Sequence, residues 1–118
     1  MERRICQRTL LGNFEPFAGL GMTRVLEDGG VEVVGEHADP EVLVEEAARL
    51  QPDAVVLGVD GDGSSDLGER VRTAVPDATL ILWPRDEGEM QVFDPGSSSP
   101  RRIGLSASRT LLRELGID

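Results

Sequence analysis

Six consecutive residues, Ala54-Val-Val-Leu-Gly-Val59, carry no charged or hydrogen-bonding side chain. A strand with one face in water would alternate, so this run reads as one buried on both faces at the centre of a parallel sheet. Such a sheet needs helices above and below it, and the flanking sequence supplies them. Thr9–Gly12 and Val31–Gly35 read as the first two strands, and Ala78–Trp83 as the fourth. Between the first two, Phe17, Ala18, Gly21, Met22, Val25 and Leu26 recur at helical spacing within Pro16–Asp28, and Gly29-Gly30 ends the run. A second helix has Asp39 as its cap, Pro40 at its first position, Glu45 and Arg49 as an i,i+4 pair, and Gln51-Pro52 as its stop. A third fits Asp66–Val75, stopped by Pro76. A last one fits Ser108–Leu115, with Leu111, Leu112 and Leu115 facing inward before Gly116. Strands alternating with helices in this way imply repeated βαβ units.

The segment from Pro84 to Leu105 admits two readings. Met90-Gln-Val-Phe93 alternates like a strand, but only six residues separate it from Trp83, and a parallel crossover needs a dozen or more. The favoured reading is a short helix. Asp86-Glu-Gly-Glu89 has capping-box spacing, Met90 and Phe93 lie three apart, and Asp94-Pro-Gly96 is a stop. The fifth strand then falls around Arg102–Leu105. The expected architecture is a doubly wound, flavodoxin-like α/β domain over residues 1–118, with a five-stranded, mainly parallel sheet, helices on both faces and a shortened fourth helix.

Charge narrows the functional classes. The chain has 118 residues, 22 of them acidic and 12 basic, for a net charge of -10. That balance repels a phosphate backbone and argues against direct nucleic-acid binding. All the basic residues are Arg, so chemistry that needs a lysine amine is excluded. From Glu27 to Asp94 there are 18 acids and 4 Arg, whereas Arg101, Arg102, Arg109 and Arg113 gather near the end. No apolar run approaches membrane-spanning length and no secretory signal follows Met1, so a cytoplasmic location is expected. The single Cys6 makes neither an internal disulfide nor a thiolate metal cage.

Glu32-Val-Val-Gly-Glu36, the capped helix running into Arg49-Leu-Gln-Pro-Asp-Ala-Val-Val-Leu57, and Val75-Pro-Asp-Ala-Thr-Leu-Ile-Leu82 together resemble receiver domains of bacterial two-component response regulators. The resemblance covers residues 9 to 83, and the remainder follows more loosely. It implies a site at the C-terminal ends of the strands: an acid pair holding Mg²⁺, an Asp that accepts a phosphoryl group, a hydroxyl that senses it and a Lys that neutralises it. Phosphoryl transfer requires that carboxylate, that ion and that cation. In this chain the acid pair falls on Asn13 and Phe14, the acceptor on Gly58, and the hydroxyl on Pro84 or Trp83. The Lys position falls near Ile103 or on Asp94, according to the reading of the last third. The resemblance is therefore to a degenerate, pseudo-receiver domain with no catalytic, metal-binding or cofactor-binding residues in the family's places.

Other residues carry competing readings. Asp60-Gly-Asp-Gly-Ser-Ser-Asp66 is a strand-to-helix loop capped by Ser64, Ser65 or Asp66, a weak cation site built on its three carboxylates, or a replacement phosphoacceptor through Asp60 or Asp62. The calcium pattern fails because position 71, where it requires Glu, is Val. His37 reads as a solvent-exposed loop residue, and Ser97-Ser-Ser99 as a polar loop. Phe14 and Trp83 either fill the vacated pocket or form part of an apolar docking surface. Gly12-Asn-Phe-Glu-Pro16 lacks the glycine pattern of a dinucleotide-binding turn.

The expected function is a non-enzymatic, phosphorylation-independent signalling module that binds a protein, itself included, without cofactor, membrane or direct nucleic acid. Alternatives are a phosphoacceptor or cation-binding domain using the Asp60–Asp66 loop, and a small-ligand sensor using the vacated pocket. Thin cover over the fourth strand would leave Trp83, Met90, Val92 and Phe93 partly bare and suited to homodimerisation. Arg101, Arg102, Arg109 and Arg113 would then face Asp86, Glu87, Glu89 and Asp94 across a two-fold axis.

Overall fold

A computed structural model describes residues 8–14, 16–59, 66–84, 89–96 and 99–104. Its strands are β1 (Arg8–Gly12), β2 (Glu32–His37), β3 (Ala54–Val59), β4 (Thr79–Pro84), β5 (Glu89–Phe93) and β6 (Arg101–Gly104). They form one sheet in the order β2-β1-β3-β4-β5-β6. The first three pairings are parallel, whereas β4–β5 and β5–β6 are antiparallel. The helices among the described residues are α1 (Pro16–Asp28), α2 (Pro40–Leu50) and α3 (Asp66–Ala74).

Every residue of β3 is buried, as its unbroken apolar run demands. Its alternate side chains feed two layers. Ala54 and Val56 join Leu11, Ile81, and Met22 and Leu26 of α1 on one face. Val55, Leu57 and Val59 join Leu10, Leu80, Leu82, Leu43 and Ala47 of α2, and Leu67 and Val71 of α3 on the other. At the opposite edge of the structure from the strand tips, the backbone N–H groups of Arg8 and Asp53 exchange bonds at 3.2 and 2.8 Å, the first to the Asp53 carboxylate. Thr79 N–H donates to the Asp53 carbonyl at 3.0 Å, so one residue aligns the starts of β1, β3 and β4.

The helix ends follow the sequence signals. Asp39 Oδ1 accepts the Glu41 N–H at 2.9 Å, Pro40 opens α2, and Gln51 closes it in the left-handed region with φ 46°. After α1, Gly30 at φ +93° lets the Gly30 and Val31 N–H groups return to the Glu27 and Leu26 carbonyls, the paired bonds of a Schellman cap. One helix pair differs: Arg49 binds both oxygens of Glu46 at 2.7 and 2.8 Å, rather than Glu45.

The larger corrections lie beyond β4. Among the described residues the sheet has six strands rather than five, and it is mixed, with β1–β4 parallel and β5 running antiparallel to both its neighbours. In place of a shortened fourth helix, Glu89–Phe93 is strand β5, folded back on β4 with Leu80 opposite Phe93 and Leu82 opposite Gln91. The crossover-length argument excluded only a parallel neighbour. An antiparallel partner needs no crossover, and the same short connection suffices for it. The strand expected around Arg102–Leu105 is present as β6, antiparallel to β5, and Leu105 lies outside the described residues. So do Ser108–Leu115 and Gly116. No described helix is long and apolar enough to cross a membrane.

In β2 the register on β1 slips by one residue: Thr9 lies opposite Val33, and Leu10 opposite Gly35. Val34 is the extra residue. A slip of one exchanges the faces of all that follows. Val33 packs on the α1 side and Val34 on the α2 side. Beyond the slip, Glu36 lies against Gly19 and Thr23 of α1, and His37 lies 3.8 Å from Glu46 of α2.

Candidate functional site

The carboxyl ends of β1 and β3 are where a doubly wound sheet presents ligand-binding groups. Here one residue ties three strand ends together. Asn13, the first residue past β1, takes φ 62°, a left-handed conformation that Asn tolerates better than most side chains. From it the backbone N–H donates to the His37 carbonyl at the end of β2 at 2.9 Å. The side-chain Nδ2 donates to the Gly58 carbonyl of β3 at 2.8 Å. The amide that stands where the resemblance implies a metal-holding carboxylate is engaged by the backbone.

That turn carries Phe14 inward. Its ring is 6% exposed and belongs to the apolar layer under α1. Gly58 lies on the same face, paired with Trp83 of β4, which is half-buried against that layer. A Cβ added to Gly58 would stand 2.9 Å from the Asn13 carbonyl oxygen, and 3.0 and 3.2 Å from Phe14 Cδ1 and Cε1. The position where the resemblance would put a phosphoacceptor therefore admits a side chain only if the Asn13–Phe14 turn gives way. Asn13, Phe14, Gly58 and Trp83 do converge, whereas Pro84 extends beyond them, opposite Val59. Buried in this way, Phe14 forms no part of an exposed docking surface. At this corner an amide and an aromatic ring meet the glycine, and neither is a nucleophile or titrates near neutral pH.

The other sequence candidates fare differently. Asp66 opens α3 and is exposed, while Asp60 and Asp62 lie outside the described residues. Among the described residues, no three His, Cys, Asp or Glu side chains gather in a way that could hold a metal ion. Met90 and Val92, expected to be partly bare, are fully buried in the α1-side layer. Strand alternation explains this, because it sends both inward together. Phe93 faces the opposite layer, half-buried, with the Arg72 guanidinium 4.7 Å from its ring centre. Arg101, expected to reach a second copy, binds Asp94 of its own chain through two bonds of 2.8 and 2.9 Å. That guanidinium holds the Asp94 carboxyl below its ordinary range. Arg102 is exposed on β6, and Arg109 and Arg113 lie outside the described residues.

Sequence reasoning missed the reason for Gly58. A glycine inside an apolar strand often marks the close approach of another backbone, and that signal was there to be used. Gly12 makes room for a side chain instead, on the other face, where an added Cβ would run into Leu43 of α2. Compared with known proteins, the chain matches no family model and no curated protein sequence.

Proposed function

We propose that this chain is a non-enzymatic regulatory module, a receiver-like domain that has lost phosphorylation and acts by binding a protein. The observation that carries the reading is the packing at Gly58, where the Asn13 carbonyl and the Phe14 ring occupy the space an acceptor carboxylate would need. Supporting it are the parallel order β2-β1-β3-β4 over the residues that carry the resemblance, and the absence of any lysine from the chain. The antiparallel hairpin after β4 limits the likeness to those residues.

The test is chemical. Incubation with Mg²⁺ and acetyl phosphate, or with beryllofluoride, should leave the intact mass and the amide spectrum unchanged. A stable single phosphate on Asp60, Asp62, Asp66 or any other Asp would replace this reading with a phosphoacceptor one. A metabolite that raises the melting temperature in a thermal-shift screen, with no protein partner found, would replace it with ligand sensing.

A further inference from the structure

The turn after β1 reaches the start of α2 by two routes. Gly12, the last residue of β1, seats Leu43, because a Cβ there would run into that side chain, and Leu43 is fully buried in the first turn of α2. Asn13, the next residue, donates its backbone N–H to the His37 carbonyl at 2.9 Å. Only Ala38 separates His37 from Asp39, the cap of α2. The Asp39 side chain accepts the Glu41 N–H and its carbonyl accepts the Leu43 N–H, each at 2.9 Å. The first turn of α2 is thus held by two adjacent residues, once through packing and once through the chain.

A third contact fastens this joint to the centre of the sheet. β2 is exposed or half-buried along its length and lies at the edge, whereas β3 is buried throughout. The Asn13 side-chain Nδ2 crosses from the first to the second, donating to the Gly58 carbonyl at 2.8 Å from the turn that also holds His37. A protein opens locally in contiguous units, and a bond between an edge unit and the buried core sets how readily that unit comes loose.

We infer that Asn13 is a clasp for the start of α2: releasing its side-chain bond to β3 frees the β2–α2 junction before it disturbs the far end of α1 or of α3. This deepens the regulatory reading, on which its functional meaning rests, by naming the element that the corner controls. It is tested by local opening alone, so phosphorylation results and opening results fail separately.

Native-state hydrogen exchange of the intact chain, followed residue by residue in NMR spectra, reads the clasp directly. Asn13→Gly keeps the left-handed turn, which glycine adopts freely, and removes the side-chain bond. Exchange at the residue 13 and Leu43 amides should accelerate at least about fivefold, the effect of one hydrogen bond of ordinary worth. The controls are Val31 and Val75, whose N–H groups bind the Leu26 and Val71 carbonyls at 2.9 Å, and they should change less than about twofold. Gly12→Ala should accelerate Leu43 by the packing route, with the Asn13 side chain still in place. Equal acceleration at all four amides of Asn13→Gly would make Asn13 a contributor to global stability alone and overturn the inference. So would a Leu43 amide that exchanges at the parent rate in that variant.

Discussion

Replacing Gly58 by Ala adds a single methyl group to the centre of the sheet, and the surroundings determine what that costs. The new Cβ would lie 2.9 Å from the Asn13 carbonyl oxygen and 3.0 Å from Phe14 Cδ1, against an ordinary contact of about 3.4 Å or more. The carbonyl cannot swing aside, because Asn13 is pinned by bonds of 2.9 and 2.8 Å to His37 and Gly58. The ring must give way instead, and it is enclosed by core. Overpacking of this kind costs about 1–3 kcal/mol. Against it, losing a glycine stiffens the unfolded chain and returns about 0.4–1 kcal/mol. The net expectation is a loss of about 0.5–2 kcal/mol, read as a lower midpoint in urea with unchanged slope. If Phe14 is the resisting group, Phe14→Leu and Gly58→Ala together should cost less than their separate sum, by about 0.5 kcal/mol or more. A Gly58→Ala protein as stable as the parent would refute the steric account of this corner. Gly58→Asp should be worse, since it buries a carboxylate against an aromatic ring.

Three further outcomes follow from particular contacts. Gly21→Ala should stabilise the monomer by about 0.5–1 kcal/mol through helix propensity, whereas Gly19→Ala should gain less because the exposed Glu36 carboxylate must first swing off the place the methyl takes, a contrast readable by thermal melting at low concentration. Met90→Ala should cost about 2–4 kcal/mol in urea denaturation, as for any fully buried core methionine, and a change below about 0.5 kcal/mol would place Met90 at the surface after all. Hydrogen bonding to Arg70, at 2.9 and 3.1 Å, holds the Glu41 carboxyl below its ordinary range. A carboxylate depressed in the folded state contributes stability above its unfolded pKa and loses it as pH falls through the folded value. Glu41 should therefore titrate late in a carbon-detected acid titration, and Arg70→Gln should return its midpoint to the usual glutamate range.

The parts of the fold that were legible are those where local signals and burial agree. Ala54–Val59 could be bounded to the residue because an all-apolar run fits one place in a parallel sheet, and α2 because a cap, a first-position Pro and the Gln51-Pro52 stop mark its ends. The region after Trp83 misled because Met90 and Phe93 satisfy two periods at once. Three apart, they share a face in a helix and take opposite faces in a strand, and the structure places them in opposite layers. At the candidate site, Asn13, Phe14, Gly58 and Trp83 were identifiable as positions. Their mutual closure was not, since it depends on the left-handed turn at Asn13, which no side-chain pattern encodes. Arg101 could not be assigned to Asp94 without knowing that β5 and β6 are neighbours.

The register slip at Val34 has a bearing on how this protein behaves when concentrated. β2 is the outermost strand of the sheet on its side, the place where a foreign strand would be recruited. An irregular ladder offers such a strand no continuous template, because outward-facing N–H and C=O groups fall out of step on either side of the extra residue. The same one-residue insertion that turns Glu36 toward one helix and His37 toward the other thus also blunts an aggregation route. A sheet guarded in this way is protected against open-ended growth into fibres at this edge.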